Sequence, residues 1–87
     1  MWFVVGFLSK WDAKFGTFTS SFVWDVAEGG WADCTGTPYR TREEAESVAV
    51  FAAPSVIGKG WVRVMTLREL EDYYYGGAPE KKNLENR

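Results

Sequence analysis

The sequence lacks several side chains on which common chemistries depend. Its 87 residues include no histidine and a single cysteine, Cys34. Without histidine there is no side chain that ordinarily titrates near neutral pH, which argues against the usual general base, Ser-His-Asp triads and most zinc sites. One cysteine excludes an internal disulfide or redox pair and is typical of the reducing cytoplasm. We therefore expect a cytoplasmic protein that is not an enzyme and uses no metal or cofactor.

An excess of basic charge and long apolar runs are missing as well. Ten basic and twelve acidic residues give a net charge of −2, so nucleic acid is not the expected partner. No segment approaches the roughly 18 consecutive apolar residues of a transmembrane helix. Residues 1–8 are apolar but carry neither the basic start nor the small-residue cleavage site of a signal peptide. These absences predict a protein that does not enter a membrane.

Aromatic residues, by contrast, are abundant. Five Trp, four Tyr and six Phe make up 17% of the chain. Large rings supply area to a small core, since each buries about 150–250 Å². Trp and Tyr are also enriched at binding hot spots, so rings that do not fit the core pattern are candidates for partner contact. We expect one domain over residues 1–78, followed by a frayed polar tail at 79–87.

The pattern of apolar residues predicts three to four antiparallel strands. Residues 2–8 are apolar on both alternating faces, which is typical of a central strand. Residues 17–26 alternate with period two, as a half-buried strand does, and a connection over 9–16 joins them to the first strand. Residues 31–34 are a candidate for a short third strand. Residues 61–67 are predicted to form the last strand, which we expect beside the first.

The clearest helix signal is a capping box in which Thr41 precedes Glu44 by three residues. Pro54 is expected to end this helix. Its inward stripe, spaced i, i+3, i+4 and i+7, consists of Ala45, Val48, Ala49 and Ala52. Val50 and Phe51 lie outside the stripe, so they do not fit a helix that is apolar on one side only.

A second capping box, formed by Thr66 and Glu69, opens a short C-terminal helix that ends at glycines 76–77. The face that this helix turns to the sheet is predicted to consist of Leu67, Leu70 and Tyr74. Tyr73 and Tyr75 flank that stripe on opposite sides. They are candidates either for the rim of the core or for contact with a partner.

The order of elements predicts an α+β fold. Two strands, a short third strand, a helix, a fourth strand and a second helix follow one another along the chain. The simplest architecture is a small antiparallel sheet with the main helix packed on one face and a short C-terminal helix. No stretch matches a phosphate-binding loop or a dinucleotide-binding fingerprint.

Candidate partner-binding residues are the apolar and aromatic side chains that do not fit the core pattern, together with neighbouring acids. They are Trp11, Glu43, Glu46, Val50, Phe51, Glu69, Asp72, Tyr73 and Tyr75. Rings supply buried area at an interface, while carboxylates steer the encounter with a basic surface. The pattern therefore predicts a non-enzymatic module that binds a protein with a basic surface, for example a protein that handles nucleic acid. We expect the carboxylates to serve helix capping and solvation, or contact with a partner, rather than catalysis.

In its size, acidity and lack of recognisable motifs, the chain resembles small phage-encoded inhibitors, anti-CRISPR proteins among them. The resemblance is one of general character and carries no motif or individual residue. What it implies is a protein that blocks or modulates its partner.

Two other functions remain open from the sequence. The first is a single-stranded nucleic-acid binder, since stacking platforms on sheets use alternating rings, as in Phe18, Phe22 and Trp24. These rings also fit a core face under the alanine-rich helix. The second is a homodimer, in which the outer face of the last strand pairs across a two-fold axis through Trp61, Arg63 and Met65.

Overall fold

Four strands and two α-helices form in the described residues, in the order that the sequence predicts. The structure, a computed structural model, describes residues 1–14, 16–33, 35–56 and 60–76, with only the backbone of Tyr75 and Gly76. The elements are β1 (Trp2–Asp12), β2 (Gly16–Asp25), β3 (Gly30–Ala32), α1 (Arg42–Ala52), β4 (Gly60–Thr66) and α2 (Leu67–Gly76). Cys34 and the predicted tail at 79–87 lie outside the described residues, as does the predicted domain boundary at residue 78.

The strands form one antiparallel sheet in the order β3-β2-β1-β4. β1 is therefore central and β4 lies beside it, as the sequence predicts. Val5 pairs with Val23 of β2 on one side and with Arg63 of β4 on the other. Val4, Val5 and Phe7 are at most 1% exposed, so the middle of β1 is covered on both faces. The predicted α+β class is confirmed.

The first hairpin is tighter than the predicted connection over 9–16, so that boundary is wrong. β1 continues to Asp12, which pairs with Gly16 at the start of β2. The turn closes because the Asp12 carboxylate accepts a hydrogen bond from the Lys14 amide at 2.7 Å. Gly16 adopts a φ of 78°, which glycine tolerates without steric cost.

The end of this hairpin projects beyond the rest of the sheet. β4 pairs with β1 only as far as Leu8, so residues 9–12 and 16–19 form a two-stranded ribbon. Trp11 and Phe18 stand on opposite faces of the ribbon, with 74% and 42% of their surface exposed. Trp11 thus belongs to a strand and not to a loop.

α1 begins as the sequence predicts and packs on one face of the sheet, here called the α1 side. The Thr41 hydroxyl accepts a hydrogen bond from the Glu44 amide at 3.2 Å. The predicted inward stripe faces the sheet, and its first and last alanines are fully buried in a cluster with Val4. Pro54 does not end the helical path at once, since it lies in a 3₁₀ turn, Ala53–Ser55, that follows α1 directly.

α2 packs on the opposite face, here called the α2 side, and its capping box is complete. The Thr66 amide donates to the Glu69 carboxylate at 3.0 Å, and the Glu69 amide donates to the Thr66 hydroxyl at 3.1 Å. The helix therefore starts within one residue of the end of β4. This confirms the predicted second helix.

The inward face of α2 differs from the prediction. Leu70 is buried, and Tyr73 meets the ring of Phe7 edge-on with 5.3 Å between centroids. Leu67 and Tyr74 are each 53% exposed. The prediction that Tyr74 packs on the sheet is therefore wrong. Phe7 lies beneath Tyr73, three residues after Leu70, and not beneath Tyr74.

The face of β4 that carries Trp61, Arg63 and Met65 is not the open outer face that the sequence suggested. α2 packs on this side of the sheet, so Trp61 and Met65 belong to a second part of the core. Met65 is 3% exposed, and the ring of Trp61 stacks on Phe7 with 5.4 Å between centroids. Met65 is therefore not accessible to a second copy, whereas Trp61 and Arg63 are partly exposed. Helices cover both faces of β1, which explains its continuous apolar sequence.

Both helices begin at the same end of the sheet, beside Trp2. Thr66 pairs with Trp2 across β4 and β1. Tyr39, two residues before the Thr41 cap, exchanges backbone hydrogen bonds of 2.7 and 2.8 Å with Trp2. From this shared end, each helix runs towards the ribbon on its own face of the sheet.

Candidate protein-binding surface

The structure divides the predicted binding residues between the two faces of the sheet. On the α1 side lie Glu43, Glu46, Val50 and Phe51, all in α1. On the α2 side lie Trp11 of the ribbon and, in α2, Glu69, Asp72, Tyr73 and Tyr75. The two groups face away from each other, so one flat partner surface cannot contact both.

The α2 group contributes mainly to the fold. Tyr73 packs against Phe7, and the Glu69 carboxylate accepts the Thr66 amide in the capping box. Asp72 is exposed, and the side chain of Tyr75 lies outside the described atoms. Trp11 stands apart on the ribbon, four residues beyond Phe7 along β1.

The α1 group exposes two large apolar side chains on opposite flanks of one helix. Val50 is 78% exposed and Phe51 76% exposed, and successive helical residues differ by about 100° in direction. The ring of Phe51 turns towards β2, where it meets Trp24 edge-on with 6.2 Å between centroids. Val50 turns towards β4 and lines a hollow there with Val62 and Val64.

Phe51 is the exposed end of a row of three rings, here called the aromatic row: Phe51, Trp24 and Trp31. Trp24 and Trp31 face each other across β2 and β3, edge-on with 5.0 Å between centroids. The Trp31 indole nitrogen donates to the Ser55 hydroxyl at 2.8 Å, and that hydroxyl donates to the Ala52 carbonyl at 2.6 Å. The row is thereby fixed to the C-terminal end of α1.

The aromatic row leads into an apolar groove of about 280 Å³. Residues that line this groove are Gly6, Phe7, Leu8, Phe22, Trp31, Ser55 and Val56. The Trp31 indole lies directly over Gly6, where a Cβ atom would come within 3.1 Å of the ring. Because Gly6 has no side chain, the indole can reach from β3 across β2 onto β1.

A second, more polar hollow of about 460 Å³ continues from the groove at the β3 edge. Phe22 and Trp31 belong to both depressions, and the second adds the carboxylates of Glu28 and Asp33. The apolar groove therefore has acidic side chains at one end.

The turn that carries Glu28 is held by a nearly buried carboxylate, Asp25. Its Oδ1 accepts hydrogen bonds from the amides of Ala27 and Glu28 at 2.9 and 3.3 Å. A hydrogen bond with the Thr35 side chain, helped by these amides, holds the pKa of Asp25 below its usual range despite the opposing effect of burial. The lowered pKa favours the charged carboxylate, which accepts the amides of the turn and stabilises it.

The charged residues of α1 complete the surface. Arg42 and Glu46 approach to 3.7 Å one helical turn apart, with 62% and 56% of their side chains exposed. The Arg42 guanidinium also lies 5.6 Å from the centroid of the Trp2 ring. Glu43 is exposed. A solvated pair of this kind contributes little stability, so these charges are available to a partner.

The sequence does not predict the groove or the place of Trp31 in it. One local signal points to it, namely Gly6 in the middle of an apolar strand, since such a glycine often marks the close approach of another group. Of the rings that alternate along β2, Trp24 packs with α1, Phe22 lines the groove and Phe18 stands exposed on the ribbon.

Within the described ranges, no three side chains of the metal-ligating types cluster closely enough to hold an ion. What the surface offers is a set of fixed rings, an apolar depression and neighbouring carboxylates.

Comparison of the chain with protein-family models, with curated proteins and with solved structures finds no match. No helix in the part of the chain that the structure describes has the length and apolar character needed to cross a membrane. Function is therefore inferred from the surface itself.

Proposed function

We propose that the protein is a non-enzymatic module that binds another protein through its α1 side. The observation that carries this proposal is the aromatic row, which starts at exposed Phe51 and leads through Trp24 and Trp31 into the apolar groove. The partner places an apolar or long aliphatic side chain in the groove and covers Phe51.

The exposed ring of Phe51 suits the centre of such an interface. It is fixed on one edge by Trp24 and open on the other, so a partner can bury most of its surface without first ordering it. Hot-spot residues of this kind, rigid and surrounded by other contacts, cost about 2 kcal/mol or more when truncated to alanine.

Carboxylates near both ends of this surface favour a basic partner. Glu28 and Asp33 lie at the β3 end of the groove, and Glu43 and Glu46 lie exposed on α1. Charges at the rim of an interface raise the rate of association with a complementary surface and lose effect as salt screens them. We therefore propose Lys and Arg side chains on the partner around its apolar contact.

A basic partner surface of this kind is typical of proteins that handle nucleic acid. Carboxylates bind the same Lys and Arg side chains that contact phosphates. We therefore propose that the module acts as an inhibitor of the phage type, which occupies its partner's basic surface and keeps nucleic acid from it. The supports are the acidic rim and the general resemblance in size and composition to such inhibitors.

The test is affinity capture with the tagged protein at low and moderate salt, followed by measured affinities for the partner recovered. We expect one stoichiometric protein whose binding weakens with salt. Phe51→Ala should weaken binding roughly thirtyfold, which corresponds to about 2 kcal/mol. Tyr74→Ala is the matched control, since Tyr74 is also an exposed ring but lies on the α2 side.

The result that contradicts the proposal is equally specific. If Tyr74→Ala abolished binding while Phe51→Ala left it unchanged, the α2 side and not the α1 side would be the interface. A partner bound with no dependence on salt would remove the role given to the carboxylates. Circular dichroism of each variant shows that lost binding is not lost folding.

One observation favours a second candidate function, single-stranded nucleic-acid binding at the ribbon. Phe18 is exposed, and the Lys10 ammonium lies 5.8 Å from the centroid of the Phe22 ring. A ring beside a cation is the arrangement that stacks a base and holds its phosphate. Titration with a labelled oligothymidine at low salt tests this candidate. If the wild-type protein does not bind the oligothymidine at low salt, this candidate function is eliminated. If the wild type binds and Phe18→Ala does not, the candidate function is supported.

A further inference from the structure

The outer edge of β4 has backbone groups that no described strand covers. β4 pairs with β1 alone. The Thr66 amide points away from β1, where it donates a hydrogen bond to the Glu69 carboxylate at 3.0 Å. Alternate residues of a strand direct their N–H and C=O groups to the same side, so those of Val64 and Val62 also point outward.

A hollow of about 340 Å³ lies beside this edge on the α1 side, and the charged residues Arg42, Glu46 and Arg63 line it together with apolar ones. Val62 and Val64 line it from the sheet, and Ala49 and Val50 line it from α1. Val50 is 78% exposed although it stands next to these apolar neighbours. A strand added to the edge would cover the hollow and remove this apolar surface from water.

We propose that the occupant of this edge is β4 of a second copy of the chain, related by a two-fold axis. Antiparallel pairing of two β4 strands extends the two four-stranded sheets into one sheet of eight strands. The contact is isologous, with the same residues on both copies, as in most homodimers. It goes beyond the proposed partner-binding role and does not depend on it.

The charges on β4 select one register for this pairing. Pairing centred on Arg63 places two guanidinium groups directly opposite, which is destabilising. Pairing centred on Val64 requires the Thr66 amide, which Glu69 already occupies. Pairing centred on Val62 avoids both, and it sets Trp61 opposite the partner's Arg63 on the α2 side. A guanidinium over an indole is an attractive pair, so this register is self-complementary.

The same register accounts for the exposed flank of α1. It brings the hollow of one copy against the hollow of the other, with Val50 between them. Arg42 and Glu46, only 3.7 Å apart and more than half exposed, stand at the rim.

Sedimentation across a range of concentrations tests the dimer. We expect the mass to rise with concentration from 9.9 kDa to twice that value. Val50→Glu places two carboxylates in the shared hollow and should raise the dimer dissociation constant at least about tenfold. Phe51→Glu is the matched control, since Phe51 has nearly the same exposure but lies on the other flank, and it should leave the dimer unchanged.

A second variant addresses the backbone contact. Val62→Pro removes an outward amide while edge strands tolerate proline, so it should yield a monomer. If Val62→Pro does not fold, the dimer dissociation constant of Val50→Glu tests the proposal instead. A 9.9 kDa species at every concentration up to about 1 mM would overturn the proposal. A dimer that Phe51→Glu dissociates and Val50→Glu does not would overturn it too. Neither result bears on whether Phe51 binds a separate protein.

Discussion

Replacement of Tyr73 by alanine is the sharpest test of how the second helix packs. Tyr73 covers Phe7 edge-on at 5.3 Å and lies partly buried beside Leu70. Its neighbour Tyr74 has 53% of its surface exposed and contacts the Tyr73 ring with 5.4 Å between centroids. The two tyrosines are chemically identical and adjacent, so their difference reports position alone.

The expected magnitude follows from the burial. Truncation of a fully buried large ring costs about 3–5 kcal/mol, and a partly buried ring loses about half of that. Loss of the ring pair with Phe7 adds about 0.5–1.5 kcal/mol. Tyr73→Ala should therefore lower the free energy of unfolding by about 2–4 kcal/mol, a fall in melting temperature of at least about 8 °C for a domain of this size. Tyr74→Ala should cost only about 0.5 kcal/mol, like other surface changes.

Thermal and urea unfolding, followed by circular dichroism, measure both variants. Tyr73→Phe is the control that keeps the ring and removes only the hydroxyl, and it should stay close to the wild type. Equal losses for the two alanine variants, or a larger loss for Tyr74→Ala, would show that the reasoning about α2 is wrong and that the predicted Leu67, Leu70 and Tyr74 stripe faces the sheet.

Two further predictions concern buried polar groups. The Tyr39 hydroxyl is buried with no hydrogen-bond partner among the described residues, so Tyr39→Phe should raise the free energy of unfolding by up to about 1 kcal/mol; a clear loss in urea unfolding would show that the hydroxyl is satisfied. The pKa of Asp25 is lowered in the folded protein by hydrogen bonds with Thr35 and with the turn. The charged carboxylate therefore stabilises the fold fully at pH values above the pKa that Asp25 has in the unfolded chain. This stabilisation is lost as the pH falls through the lower pKa of the folded state. Wild type should therefore lose stability more steeply than Asp25→Asn below about pH 4, and parallel curves from pH 6 to pH 2 would contradict this.

Local patterns were sufficient to predict the elements of the fold. The alternation of residues 17–26 and the helix N-caps at Thr41 and Thr66 depend only on near neighbours in the chain, and the structure confirms all three. The apolar pattern does not predict the end of β1, because three of its last four residues, Ser9, Lys10 and Asp12, are polar. Their strand conformation comes from pairing with β2 and from the turn at Gly16, neither of which leaves an apolar pattern.

Features that depend on long-range packing could not be predicted in the same way. Three consecutive tyrosines allow more than one inward stripe on α2, and the choice is made by Phe7 on a distant strand. The groove likewise requires the strand order, since Trp31 of β3 reaches over β2 to Gly6 of β1. Gly6 and Trp31 are 25 positions apart in the sequence, and nothing in the sequence shows that they meet unless the strand order is known.

The shared starting end of the two helices gives the molecule an electrical polarity. Parallel helices do not cancel each other's macrodipoles, and each leaves about half a negative charge at its C-terminal end. In the described residues neither last turn contains a basic side chain that would neutralise this end. The C-terminal end of α1 adjoins the groove through Ser55 and Val56. A cationic group that approaches the groove is therefore attracted by the backbone as well as by the carboxylates, and the orientation of its approach is set by the fold.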